Sequence, residues 1–363
     1  GLDYTLLGGK LSGTLEAYWN TTKDLLILFP TSGTGYDNQY RNMGETENKG
    51  FEASVNWIAI DKKNFGLSFG ANISFNKNKI KSLGSLTQSY WASSEIGQDY
   101  WIEVGGSVGK MYGYVSDGRY EVSDFERYDE VTETWILRDG VSSSSAVGTA
   151  RPGMMKLKDL DNSGDANGSD DKRVIGDANP LHTGGFNINA RLYGFDLTAN
   201  FNWSYGNDIY NANKIEYTST SKYLYRNLTS DMAGGKRWNN VDAAGNLVTN
   251  MAQLAEMNQN TTMWSPYTDK YIFSDWAVED GSFLRLNTLT LGYTMPTTLV
   301  KKVGINNLRF YVTAYNVFCL TSYSGYDPEV STSRRNGSNL TPGVDYSAYP
   351  KSRQFVVGLN LNF

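Results

Sequence analysis

The residues with the most explicit chemistry lie mid-chain, in Asp159-Leu160-Asp161-Asn162-Ser163-Gly164-Asp165-Ala166-Asn167-Gly168-Ser169-Asp170. This run fits the twelve-residue calcium loop at its oxygen-bearing positions and at its turn glycine. Asp159, Asp161 and Ser163 offer side-chain oxygens, Asp165 its backbone carbonyl, and Asn167 a contact through water. Gly164 makes the sharp turn. Asp170 stands where a bidentate Glu is usual, which weakens the site or shifts it toward a smaller ion. Hard oxygen donors without imidazole or thiolate suit Ca2+ or Mg2+. No helical pattern flanks the run, so the expectation is a loop staple, not a sensor that opens. An Asp/Asn/Gly-rich turn without an ion has the same composition, and the pattern leaves that alternative open.

Other chemistry is sparse. Cys319 is the only cysteine, so no internal disulfide and no four-Cys zinc site can form. His182 is the only histidine, which removes two-His metal motifs and makes a His-based triad improbable. Acidic pairs such as Asp170-Asp171 and Glu279-Asp280 fall in loop-like stretches and read as solvated turns. Gly105-Gly106-Ser107-Val108-Gly109-Lys110 lacks phosphate-loop spacing and a following helix, so it reads as a tight turn. No enzyme activity is expected. The formal charge of −5 disfavours a nucleic-acid surface.

The elements that must position these residues are strands. Of the 363 residues, 13% are aromatic and 37 are Gly. Apolar side chains alternate with polar ones at period two. Examples are Leu11 to Trp19, Phe51 to Trp57, Phe65 to Phe75, Phe186 to Leu192, Phe195 to Trp203, Leu308 to Phe318 and Phe355 to Phe363. Phe283 to Tyr293 slips phase near Asn287-Thr288, as a bulge would cause. Asp99–Val104 and Lys110–Ser116 are weaker candidates. With a stub at Gly1–Thr5, the count is about eleven strands.

Short turns are expected at Ile60–Asn64, Gly105-Gly106 and Tyr193-Gly194, and a helical turn within Pro296–Asn306. The intervening polar segments are long: Thr21–Asn48, Asn76–Gln98, Asp117–Leu181, Asn207–Gly281 and Thr321–Ser352. Short turns at one end and long loops at the other describe an all-β, antiparallel up-and-down membrane barrel. The face opposite the apolar one is rich in Asn, Ser, Thr and Gly, which suits a wet lumen. Trp19, Trp57, Trp203 and Phe363 near strand ends suit aromatic girdles. A large soluble sandwich with the same residues as its core is the competing reading. No apolar run approaches the roughly 20 residues of a membrane helix. Aromatic residues also gather in the loops, at Tyr90-Trp91, Tyr100-Trp101, Tyr223 and Tyr225, Trp264 with Tyr267, and Tyr323 with Tyr326. They suit either loop packing or stacking on sugar or peptide.

Several stretches together resemble the SusC/RagA family of TonB-dependent outer-membrane transporters. They are Asn42 to Glu52, Val108 to Tyr114, Lys158 to Asp170 running into Arg173 to Pro180, Ser204 to Asn211, Glu279 to Leu286, Gly292 to Pro296 and Tyr323 to Val330. The resemblance covers essentially the whole chain. It implies a barrel of about 22 strands, of which residues 1–363 form roughly the C-terminal half, with the plug domain and earlier strands absent. That fits a chain that opens mid-pattern at Gly1-Leu2-Asp3-Tyr4. It further implies TonB-driven import of an oligosaccharide or peptide, a SusD-like surface lipoprotein as partner, contact with TonB through the missing N-terminal region, and outer-membrane lipid around the wall. It fixes no substrate-binding residue. The family's aspartate-rich loop falls on Asp159–Asp170. Resemblance to outer-membrane proteins generally gives Phe363 a role as an outward-facing assembly signal. The alternative function is a secreted or surface calcium-stabilised glycan-binding β-protein without transport.

Overall fold

The computed structural model describes residues 1–30, 35, 38–91, 97–220, 225–268, 270–332 and 340–363. A nine-stranded antiparallel sheet forms a wall in which every strand pairs with its neighbour in wall order. The strands are β1 (Leu2–Leu6), β2 (Leu11–Pro30), β3 (Asn38–Lys62), β4 (Phe65–Leu83), β5 (His182–Leu192), β6 (Phe195–Tyr205), β7 (Phe283–Thr294), β8 (Asn307–Thr321) and β9 (Gln354–Asn362). This is the expected up-and-down arrangement.

Register puts the apolar residues of adjacent strands side by side. Phe51 lies opposite Phe75, Phe69 opposite Ile188, and Phe186 opposite Phe201, whose rings stack at 4.3 Å. This face is open: Phe65, Phe75, Phe195, Phe310 and Phe355 are all exposed. The sandwich alternative needs these residues in a packed core. Instead the four buried apolar clusters draw almost entirely on the segments between wall strands, with only Ile80 and Leu83 contributed by the top of β4. A sheet with one bare apolar face and one polar face is what a lipid-embedded barrel wall requires.

The short connections from β3 to β4, from β5 to β6 and from β7 to β8 lie at one end. Lys63-Asn64 joins β3 to β4. Tyr193-Gly194 joins β5 to β6 with φ of 47° and 90°, the two positive angles of a hairpin turn that matches strand twist. Thr297–Val300 and Lys301–Val303 form the expected helical turn before β8. The phase slip also appears: the β7 ladder shifts register between Leu286 and Thr288.

Two expectations are corrected. Among the described residues the wall has nine strands, not about eleven. The weaker candidates are strands, Tyr100–Glu103 and Lys110–Tyr114, but they pair with Gln88–Trp91 and Lys172–Asp177 in a separate four-stranded loop sheet. Second, Thr21–Asn48 and the start of Asn76–Gln98 are not loops at their bases. β2 runs to Pro30, β3 starts at Asn38, and β4 continues to Leu83. Period-two alternation stops beyond the apolar band, but backbone pairing does not need it, so β2 continues through the unalternating run Leu25 to Phe29, and β3 and β4 through largely polar stretches.

The long connections fold into a domain at the other end. It holds that four-stranded sheet, a three-stranded sheet of Asp208–Asn211, Val278–Asp280 and Val344–Asp345, and a helix Met251–Asn258 capped by Asn250, whose side chain accepts the Gln253 amide at 3.0 Å.

Candidate functional site

The aspartate-rich loop sits in this domain, between the end of Met155–Leu157 and the strand Lys172–Asp177. Its curl comes from two left-handed residues, Asn162 (φ 59°) and Gly164 (φ 91°), a conformation that Asn and Gly tolerate best. That curl turns backbone N–H groups inward onto carboxylates. Asp159 accepts from the Ser163 amide (3.1 Å), the Gly164 amide (2.7 Å) and the Ser142 hydroxyl (2.9 Å). Asp161 accepts from the Ser163 amide at 2.9 Å. Asp171, buried, accepts from the amides of Leu160 and Asn167, each at 2.9 Å.

The ligand oxygens of Asp159, Asp161 and Asp171 lie within 4.8 Å of one another. Among the described residues, none of the three makes an ion pair with a basic group. The structure therefore gathers Asp159 and Asp161 as the spacing predicts, but the third carboxylate is Asp171. Asp170 is exposed and outside the group. One extra residue in the second half of the loop carries the closing carboxylate one place along. The pair Asp170-Asp171 was visible in sequence; which member turns inward was not.

Ser163 donates its hydroxyl to the Asp165 carbonyl at 3.2 Å. The Asp165 carboxylate faces away from the trio, taking the Ser143 and Ser145 hydroxyls and the Asn167 amide group at 2.6 Å. Partial burial opposes ionisation of Asp165, but these donors outweigh it and bring its pKa down to about 2. Asp159 is lowered too, with desolvation outweighed by the Gly164 amide and the Ser142 hydroxyl. The loop is fastened on its far side by Tyr112, which donates to the Ser169 carbonyl at 2.9 Å, and by Tyr114, which donates to that of Asn167 at 3.2 Å.

A second polar centre ties loop to wall, and sequence reading missed it. Arg285 of β7 is 2% exposed. Its guanidinium reaches Asp327 at 2.6 Å, Glu329 at 2.8 Å and Asn316 at 2.6 Å, and Glu329 also meets Lys351 at 2.5 Å. The only advance signal was an arginine in a strand otherwise free of charge.

The loop aromatics divide. Tyr100, Trp264 and Tyr323 are buried as packing residues, and Trp264 meets Trp276 edge-on at 4.4 Å. Tyr90, Trp101 and Tyr112 form a cluster with centroids 4.8–5.6 Å apart. Tyr225, Tyr267 and Tyr326 are exposed. Tyr223 and the side chain of Trp91 lie outside the described residues. Phe363 is exposed at the short-turn rim, just past the last ladder pair, Asn362 with Asn307.

An open antiparallel wall with a bare apolar face, carrying a folded loop domain at one end, defines an outer-membrane β-barrel wall. Sequence comparison agrees. The family described as TonB dependent receptor-like, beta-barrel matches residues 1–147. TonB-dependent receptor P3 of Formosa agariphila is 32% identical over 370 aligned positions, covering all of this chain and 33% of that protein. TonB-dependent receptor SusC of Bacteroides thetaiotaomicron is 26% identical, covering all of this chain and 31% of SusC. Among solved structures, the RagAB peptide importer in its closed-closed state superposes with a TM-score of 0.71 at 22% identity, over 99% of this chain and 34% of that one. The chain is thus similar along its whole length to TonB-dependent receptors, and its first 147 residues match the β-barrel of that family. It spans about a third of the length of the curated relatives it matches.

Proposed function

We propose that this chain is the C-terminal portion of a TonB-dependent importer that carries a nutrient oligomer, an oligosaccharide or a peptide, across the outer membrane. A SusD-like surface lipoprotein delivers the cargo, and TonB acts through the N-terminal region of the whole receptor. The observation that carries this reading is kinship with SusC along the entire chain. The likeness to the RagAB peptide importer supports keeping peptides beside glycans as cargo. The relatives are receptors and transporters, and the chain's role here is passage, not chemistry on the cargo.

The test is uptake by cells that carry or lack the full-length receptor. Loss of the receptor should abolish entry of at least one labelled oligosaccharide or peptide, and a surface lipoprotein should copurify with the receptor. Unchanged entry of every cargo offered would sink the reading.

Two further assignments belong to it. Asp159, Asp161 and Asp171 hold a calcium ion, or the smaller magnesium, with Ser163 and the Asp165 carbonyl beside them. What supports this is the convergence of three carboxylates, each with lone pairs left after its amide contacts. The ion would supply positive charge that staples the loop. Phe363 serves as the assembly signal, so Phe363→Ser should lower the amount of receptor inserted into outer membranes, with unchanged insertion leaving it an ordinary rim residue.

A further inference from the structure

The wall changes character abruptly on two neighbouring strands. Going toward the loops on the outward face, β3 reads Trp57, Val55, Ala53, Phe51 and then Lys49 and Glu47. On the same face β4 reads Phe65, Leu67, Phe69, Ala71, Ile73, Phe75 and then Lys77 and Lys79. The switch falls at one level, because Phe51 pairs with Phe75 and Lys49 with Lys77. Two lysines directly opposite each other are destabilising unless an anion lies between them. Lys79 stands opposite Glu47, and Lys81 also reaches Glu47, at 4.0 Å.

Among the described residues, Glu47 is the carboxylate that forms ion pairs within this cluster of four ammonium groups. It is already held by Lys49 at 3.2 Å and by the Trp19 indole N–H, which donates to it at 2.7 Å. Lys49 also lies over the Trp19 ring, 4.0 Å from its centroid. Lys77 and Lys79 make no ion pair among the described residues, and all four lysines are exposed. The patch is therefore strongly positive on a chain whose formal charge is −5.

Its position selects the occupant. Trp19, Phe51, Phe75 and Tyr205 form the aromatic level at the loop end of the apolar band. Lys77 to Lys81 climb from it by about 7 to 20 Å along the strand, or about 5 to 14 Å along the membrane normal for a strand tilted near 45°. Headgroups extend about 5–8 Å beyond the hydrocarbon on each side, so Lys77 and Lys49 opposite it stand at headgroup depth, and Lys79 and Lys81 reach just above it. Because the long loops mark the extracellular side, the leaflet is the outer one.

We propose that Lys49, Lys77, Lys79 and Lys81 form a binding site for the phosphate groups of an outer-leaflet lipid, with Trp19 positioning Lys49 and Glu47. Lysine ammonium groups bind phosphate as point charges, and their stems lie against the apolar band while the charge reaches the headgroup. The site is independent of which cargo is imported, so its failure leaves the import reading untouched.

The test uses the full-length receptor, purified in neutral detergent, and vesicles of neutral phospholipid carrying phosphorylated lipid A, the same lipid A after phosphate removal, or neither. Wild type should bind the phosphorylated lipid selectively. K49Q/K77Q/K79Q/K81Q should bind it about a hundredfold or more weakly, from roughly fivefold per charge. Should that variant fold poorly, Lys77→Gln alone decides the matter through a change of sign. It should raise Tm in neutral detergent, by relieving the Lys49–Lys77 repulsion, and lower it when phosphorylated lipid A is present. Equal binding of dephosphorylated lipid A, displacement by millimolar inorganic phosphate, or loss of a copurifying acidic protein with lipid binding intact would each overturn the proposal.

Discussion

The wall and the loop domain use the same aromatic residues in opposite ways. Phe65, Phe75, Phe195 and Phe355 of the wall are 36–71% exposed, whereas Phe125, Tyr100 and Tyr120 of the loops are fully buried. The wall takes its stability from ladder hydrogen bonds and from lipid, with no core of its own. The loop domain faces water and must build cores, so it buries Tyr120 and satisfies the phenol with the Ser142 carbonyl (2.7 Å) and the Ser144 hydroxyl (2.9 Å). One chain thus answers two solvents, and a substitution should act according to the region that holds it.

The largest expected effect lies in the loop core. Phe125→Ala opens a cavity beside Tyr120 and Trp135 and should cost about 3–5 kcal/mol. Limited proteolysis should show cleavage confined to the loops while the wall stays protected; cleavage spreading into β2–β4 would break the distinction between the regions. Next comes the wall. Ile188→Arg, facing lipid, should cost about 2–4 kcal/mol in denaturant titrations of the reconstituted receptor. Asn189→Arg, one residue along and facing the lumen, should change stability far less. Equal costs would mean that the apolar face is not the lipid face.

The calcium assignment sharpens the same contrast. Saturating calcium should stabilise the loop domain by about 3 kcal/mol at a hundredfold excess over Kd, and chelator should speed proteolysis near Asp159–Asp171 only. Asp159→Ala should erase the difference. Identical digestion with and without chelator would remove the ion from the account.

The smallest effect is from pH. Asp165 is ionised in the fold down to about pH 2, against roughly 3.9 when unfolded. A depressed folded pKa stabilises above the unfolded value, so this contribution is present at neutral pH and is lost as pH falls from about 4 to 2. After discounting for solvent screening it amounts to about 1 kcal/mol. Asp165→Asn should flatten that part of the loop's acid-unfolding curve and leave the wall's unchanged.

How much of this was legible in sequence follows the physics of each region. Period-two alternation is strict wherever one face meets lipid, so the wall strands, their phase and the bulge near Asn287 could be read directly. In the loops no single solvent imposes a period. There Asp99–Val104 and Lys110–Ser116 looked like wall strands, and the loop-end halves of β2 and β3, where alternation fails, looked like loops.

Sequence alone therefore determined that the fold is all-β, which residues share a face of each strand, and the position of an oxygen-rich loop, because each is written in local spacing; that the apolar face is bare and not a packed core was decided by the tertiary structure. Tertiary structure alone decided that Asp171 rather than Asp170 turns in, that Arg285 meets Asp327 and Glu329 across 42 and 44 residues of chain, and that Lys49 stands against Lys77. Each of these depends on register between segments distant in sequence. Register is set by backbone pairing and packing across the whole sheet, and no short stretch of residues carries it.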